Sequence, residues 1–407
     1  MHLARLVIAI AFGFLQLNLN GAVRETHLTY LEPEPATGTS KAVITDSLSL
    51  IHTSQILPFD APGQIISRDA VVQSGRVLAV ILEILSTLNS GYGSIIKLNI
   101  YIRNTNDIPL IQRVLAQTFK GTNKPAVTFV VTALPHLNAL VAMDAVGVPR
   151  LQTDPRIPRP ILLGGPPYDT EINPATGPAN GPFIYVSGMA DTNSLPVATR
   201  QTLGKLMSAI GHSGLGKSDV LQLKAFFQPM SEAGVVRKAI VDFFGSNAPP
   251  TVFVEWISPA PNPPIEIELI VAGKPSATNE KESVVFLTPP GTTSTKVFSR
   301  VAKVNRGKLI YVSGLYGMNA HDGEEEVEGI FKSLGAILKK MDSDFEHLVK
   351  ATYYVTDDLA GNKLNEIRPK YFNPVRPPAA SKAKVRGVAV EGKTVMVDMI
   401  AVTKGER

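Results

Sequence analysis

One short stretch occurs twice in this chain and a worn version of it a third time, and that repeat restricts the fold more than any other feature. Phe183-Ile-Tyr-Val-Ser-Gly188 returns as Leu309-Ile-Tyr-Val-Ser-Gly314, and Leu48-Ser-Leu-Ile-His-Thr-Ser54 stands in its place earlier. Each is a β-rich run ending on Ser. Each is followed by a loop, an amphipathic helical pattern, a strand pattern and a second, shorter helix. From that Ser to an acid in the last strand pattern the spacing is 90, 81 and 85 residues, ending at Asp144, Glu268 and Asp398. One supersecondary plan is therefore written three times, and any fold must bury three copies of it.

The copies span 27–149, 155–273 and 284–405. In the first, Val77, Val80, Ile81, Ile84, Leu85 and Leu88 fall at helical spacing, so 70–88 is expected to be a helix with one apolar stripe. Ile96 to Ile102 alternates as a strand, and 108–119 reads as the second helix. The second copy places helices over 197–210 and 233–244, and the third over 324–341 and 362–372. Strands close each copy. The expected fold class is α+β, with two helices on one face of each β-sheet. The opposite face must be covered too, and the natural cover is the other two copies, as an intramolecular pseudo-trimer.

Hydrophobic residues make up 44% and charged residues 18% of 407, which suits packed cores and excludes a disordered chain. The net charge of +5 is spread thinly, without a basic run, so no nucleic-acid partner is expected. The absence of Cys excludes thiolate metal sites and a Cys nucleophile. The seven His are scattered and point to no metal, and nothing points to a cofactor. Residues 1–22 run from one Arg through the apolar Leu6–Leu17 to small residues ending at Ala22, the layout of a cleaved export signal. That run is too short for a comfortable membrane span, so a secreted or periplasmic chain is expected.

Tyr185-Val-Ser-Gly188 with Ile265-Glu-Ile-Glu268, and Tyr311-Val-Ser-Gly314 with Pro378-Ala-Ala-Ser381 and Met396-Val-Asp398, resemble the Rid family, also labelled YjgF-like or endoribonuclease L-PSP. The first copy resembles it more weakly, through Ala133-Leu-Pro135 and Ala142-Met-Asp144. The resemblance implies homotrimer-like packing with a cleft at each interface, and hydrolysis of enamines and imines derived from amino acids. It also implies an Arg that pairs with the substrate carboxylate through its two-point fork, and a Glu in the last strand that positions water. Carried over, the acids are Asp144, Glu268 and Asp398, and the substrate-binding candidates are Ser187, Gly188, Ser313, Gly314 and Asn365. The family's early Tyr has Phe298 as its nearest match.

The Arg is missing from all three copies. Counting from the motifs, its place falls on Ala126, Pro250 and Ala380. Lys382, two residues past Ala380 and on the same side of a strand, is a candidate substitute cation, though an exposed strand Lys fits it as well. The serines also fit a backbone-bonding role, since none sits in a nucleophile elbow. The resulting expectation is a family member with small-metabolite clefts, degenerate for deamination. The alternatives are an active deaminase that relies on Lys382 and a structural protein. Gly211-His-Ser-Gly-Leu-Gly-Lys-Ser218 matches the P-loop pattern, but it follows a helix and precedes a strand, which is the wrong context for holding phosphates.

Overall fold

The computed structural model describes residues 27–46, 49–150, 159–163, 171–257, 263–274, 282–317 and 323–405. The export segment at 1–22 lies outside the described residues.

Six helices stand where the periodicity put them: α1 (Ala70–Ser86), α2 (Ile108–Thr118), α3 (Leu195–Gly211), α4 (Ala233–Phe244), α5 (Gly323–Lys340) and α6 (Asp358–Ile367). Asp69 caps α1, its carboxylate accepting from the N–H groups of Val71 (2.8 Å) and Val72 (3.0 Å). α6 begins four residues before the expected 362, because Asp357 caps it by accepting from Ala360 N at 2.8 Å. It also ends early, since Pro369 has no N–H to continue it. The P-loop-like stretch is the end of α3 and a turn into a strand. Its Lys217 bonds Phe243 O and lies 4.1 Å from the Phe243 ring centroid, a packing role.

Each module has the same four-strand order. In module two it runs Thr251–Glu255, Val220–Phe227, Ile265–Ala272, Phe183–Asp191, with the first pair parallel and the rest antiparallel. Modules one and three repeat it, with Ala126–Val131, Ile95–Ile102, Val141–Gly147, Ser49–Thr53 and with Ala379–Lys384, Leu348–Val355, Val395–Val402, Leu309–Val312. The helices cover one face and make a separate apolar core for each module. The opposite faces of all three sheets meet in two shared apolar clusters. One holds Ile96, Leu221 and Val349, the other Tyr101, Phe226 and Tyr354.

The edge of each sheet departs from the sequence modules. The hairpin that opens a module does not pair with that module's Ser strand. Leu28–Glu34 and Thr39–Thr45 lie on module three, with Tyr311 opposite Val43. Arg159–Ile161 and Ala175–Asn180 lie on module one. Val284–Leu287 and Val301–Val304 lie on module two, with Tyr185 opposite Ala302. Every module thus lends its opening hairpin to its neighbour, and the first lends to the last. The sheet of each span read from the sequence, 27–149, 155–273 and 284–405, is completed by strands from another span. The four-residue connection Asn305–Lys308 turns a corner instead of doubling back. Asn305 N bonds Ser283 O at 2.9 Å on one side, and Lys308 N bonds Thr403 Oγ1 at 3.0 Å on the other.

Candidate functional site

The repeated serines are staples. Ser187 Oγ donates to Ser299 O (2.5 Å) of the lent hairpin and accepts from Ala380 N (2.7 Å) of the next module. Ser54 does the same with Asn173 O (2.7 Å) and Thr251 N (3.0 Å), and Ser313 with Ser40 O (2.6 Å) and Val127 N (2.7 Å). Each hydroxyl therefore joins three chain segments at an interface, and Ser187 and Ser313 have their bonding taken up by backbone. Replacing Ser187 with Ala strands a buried N–H and a buried carbonyl. The expected loss is about 2 kcal/mol of stability, read from the denaturant midpoint at unchanged slope. The same bonds correct the place of the missing Arg. The residues equivalent to Ala380 are Val127 and Thr251, one beyond Ala126 and Pro250, and all three still lack charge.

The three acids Asp144, Glu268 and Asp398 do not line the clefts. They converge at the centre, each 1–8% exposed, in a polar layer between the two shared apolar clusters. Lys97 Nζ reaches Asp398 Oδ1, Thr128 Oγ1 and Val312 O, each at 2.7 Å, which uses all three ammonium hydrogens. Lys350 Nζ is 2.7 Å from Glu268 Oε1 and 2.6 Å from Thr352 Oγ1. Asp144 accepts from Tyr101 Oη at 2.6 Å and Asn99 Nδ2 at 2.9 Å. Burial pushes the Asp144 carboxyl up, against the pull of Lys224. Burial also works against charge on Asp398, but Lys97, Lys224 and Lys350 outweigh it and hold Asp398 below the usual carboxylate range. The ammonium groups of Lys97, Lys224 and Lys350 and the carboxyls of Glu268 and Asp398 line a cavity of ≈ 30 Å³, room for about one water. The three acids expected to be catalytic are thus buried and paired at the centre, away from the Glu266 position.

The acid that reaches a cleft is Glu266, which the sequence reading passed over. It stands two residues before Glu268 on the same face, roughly 7 Å along the strand. Burial raises its pKa from 4.5 to about 7, and the neighbouring Glu268 adds to the rise. The Ser381 hydroxyl, the Arg300 guanidinium and the Lys382 ammonium act in the opposite direction. Gly188 makes room for it, since a Cβ there would come within 2.0 Å of Glu266 Oε1. Arg300, 8% exposed, arrives on module three's lent hairpin. Its Nη1 donates to Gly188 O (2.6 Å) and its Nε to Thr293 O (3.2 Å), with the guanidinium 5.2 Å from the Phe298 ring. Nη2 makes no hydrogen bond among the described residues. Lys382 comes from module three's edge strand and lies 3.4 Å from Asn365 Oδ1 on α6. Gly188, Lys382 and Asn365 are therefore brought together at the interface of modules two and three.

The other two interfaces lack this set. Ala142 and Met396 stand where Glu266 does, since all three face the same aromatic position of the adjoining strand (Tyr101, Tyr354 and Phe226). Phe129 and Phe253 replace Lys382, and Lys41 and Pro174 replace Arg300. At the interface of modules three and one, Met396 Sδ and Tyr316 Oη close in to 3.2 Å from where a Gly314 side chain would begin. Ser313 and Gly314 thus border a cleft filled by Met396 and Tyr316, with no acid at the position matching Glu266.

With this geometry the chain can be set beside known proteins. The family model described as Endoribonuclease L-PSP matches residues 29–148 and 292–403, more than half of the chain. The chain belongs to the endoribonuclease L-PSP family. The first module, which looked most worn, is one of the two segments matched. A RutC family protein of Aquifex aeolicus is 31% identical over 122 residues, covering 28% of this chain and 95% of that protein. The 2-iminobutanoate/2-iminopropanoate deaminase of Mus musculus is 30% identical over 112 residues, covering 23% of this chain and 82% of that enzyme. Among solved structures, NMB1025 of Neisseria meningitidis, described as a member of the YjgF protein family, is 20% identical with a TM-score of 0.24. It covers 31% of this chain and 100% of its own. Each L-PSP relative matches about one module's length of this chain.

Proposed function

We propose that this L-PSP family chain is a covalent pseudo-trimer in which one interface cleft of three hydrolyses small carboxylate-bearing imines or enamines. One arrangement carries the reading: at the interface of modules two and three Glu266, whose carboxyl burial pushes up to about 7, lies with Arg300 and Lys382. A carboxyl with that pKa can exchange protons at neutral pH, which an ordinary Glu cannot do efficiently. Glu266 as carboxylate takes a proton from water as the water oxygen bonds to the imine carbon. That proton passes to nitrogen, giving a carbinolamine; the carbinolamine hydroxyl then gives its proton to nitrogen by way of Glu266 as the C–N bond breaks, so ammonia leaves and the carbonyl forms. For an enamine, protonated Glu266 first supplies the proton to the β-carbon. Arg300 and Lys382 supply positive charge for the substrate carboxylate in place of the Arg that Ala380 does not provide. The mouse relative's name, 2-iminobutanoate/2-iminopropanoate deaminase, supports the same substrate class.

The test is the disappearance of 2-iminopropanoate, freshly generated from alanine by an amino acid oxidase and trapped with semicarbazide. The purified chain is expected to compete with trapping. No acceleration at any pH from 6 to 9 sinks the reading. A second reading, binding without turnover, is favoured by the uncharged Ala380. It predicts a rise in melting temperature with 2-oxobutanoate and no hydrolysis.

A further inference from the structure

The interface of modules one and two holds the same serine staple, at Ser54 and Thr251, yet its cleft is of another kind. It encloses a cavity of ≈ 610 Å³, within the range of small-molecule sites. Where the Glu266 cleft has an acid and two cations, the matching positions here hold Ala142, Phe253 and Pro174, so that acid and those cations have no counterpart. The amide of Gln55, which stands in the place of Gly188, is turned onto Phe253 by two backbone hydrogen bonds of 3.1 and 3.3 Å. The two charged lining residues, Arg237 of α4 and Glu171, form an ion pair with each other. The lining therefore offers a ligand no net charge.

Module one also adds a cover that the described parts of the other modules lack. A two-stranded hairpin, Phe59–Ala61 with Gln64–Ile65, contributes Phe59 and its turn residues Pro62 and Gly63 to the cavity wall. Phe59 is held edge-on against His136 at 5.7 Å, and its carbonyl is fixed by Arg76 Nε at 2.7 Å. His136 Nδ1 accepts from Asn138 N at 3.2 Å, which leaves Nε2 as the ring's donor.

We propose that this roofed cleft is a second, non-catalytic binding site for a neutral, largely apolar small molecule with one hydrogen-bond acceptor, seated between Phe59 and Phe253. Gly234, near the start of α4 in the cavity wall, provides the test, because a Cβ there meets no atom within 4 Å. Gly234→Ala should fold and leave most of the space; Gly234→Trp should fill it. The probe is 6-propionyl-2-(dimethylamino)naphthalene, neutral, with one carbonyl acceptor and fluorescent in apolar surroundings, titrated against the full chain. One saturable site is expected in the wild type, retained in Gly234→Ala and weakened at least tenfold in Gly234→Trp, with all three melting within a few degrees of one another. No saturable signal in the wild type overturns the proposal. So does a signal undiminished in Gly234→Trp, or one lost equally in Gly234→Ala.

Discussion

Glu266→Gln is expected to slow imine hydrolysis by about 10²–10⁴-fold, the usual contribution of a positioned acid–base group. The substitution keeps the side chain's size and its bond with Ser381, so binding of 2-oxobutanoate should change far less than turnover. The wild-type rate should rise with pH through about 7, because the carboxylate is the form that takes the proton from water. The direction of a further shift follows from the surroundings. Arg300 and Lys382 both draw the Glu266 pKa down, so Arg300→Gln or Lys382→Met should move the inflection to higher pH as well as weaken substrate binding. A merely structural Glu266 would leave the pH profile of the residual rate unmoved. Stability has the opposite sign from rate. A carboxyl raised by folding favours the folded state below about pH 4.5, and that contribution is lost as pH rises through 7.

Lys97→Ala should cost about 3–5 kcal/mol at neutral pH, the typical penalty for leaving one member of a buried ion pair behind. The residue is 3% exposed, and its ammonium serves a carboxylate, a hydroxyl and a backbone carbonyl at once. Asp398 would then lose its largest stabilising partner and titrate higher, and the deficit should shrink as the pH falls and Asp398 takes up a proton. In the wild type the dependence runs the other way: the depressed Asp398 stabilises the fold above its unfolded pKa, and that contribution is lost as the pH falls through the folded value. Removing the pair together, as Lys97→Met with Asp398→Leu, should recover much of the loss, since the remaining two lysines and two acids still balance. Urea midpoints for the three variants decide it. Equal destabilisation of the single and double variants would show that the cost is a packing defect.

The repeat made the modules, the six helices and the sheet of each module legible, because amphipathic periodicity is local. The hairpin exchange was not legible. A strand's partner is fixed by tertiary geometry, and Val43 opposite Tyr311 leaves no mark in either segment. The two acids of Ile265-Glu-Ile-Glu268 show a subtler limit. Alternation puts both on one face, and the neighbouring module decides which meets a cleft. A signal was nevertheless present. Asp144, Glu268 and Asp398 recur in all three modules, as residues on a shared axis should. Ala142, Glu266 and Met396 differ, as residues of a site present once should. Arg300 lay outside every quoted motif, on a hairpin that local reasoning assigned to the wrong sheet.

The lending of hairpins makes the chain a closed circuit in which the covalent ends are almost incidental. Module three is finished by Leu28–Thr45, so the first and last parts of the chain are topological neighbours. A circular permutant that joins module three to the Leu28–Glu34 strand and opens between modules should keep the same three sheets and the same Glu266 cleft. Order of synthesis would change, and with it which sheet waits longest for its edge.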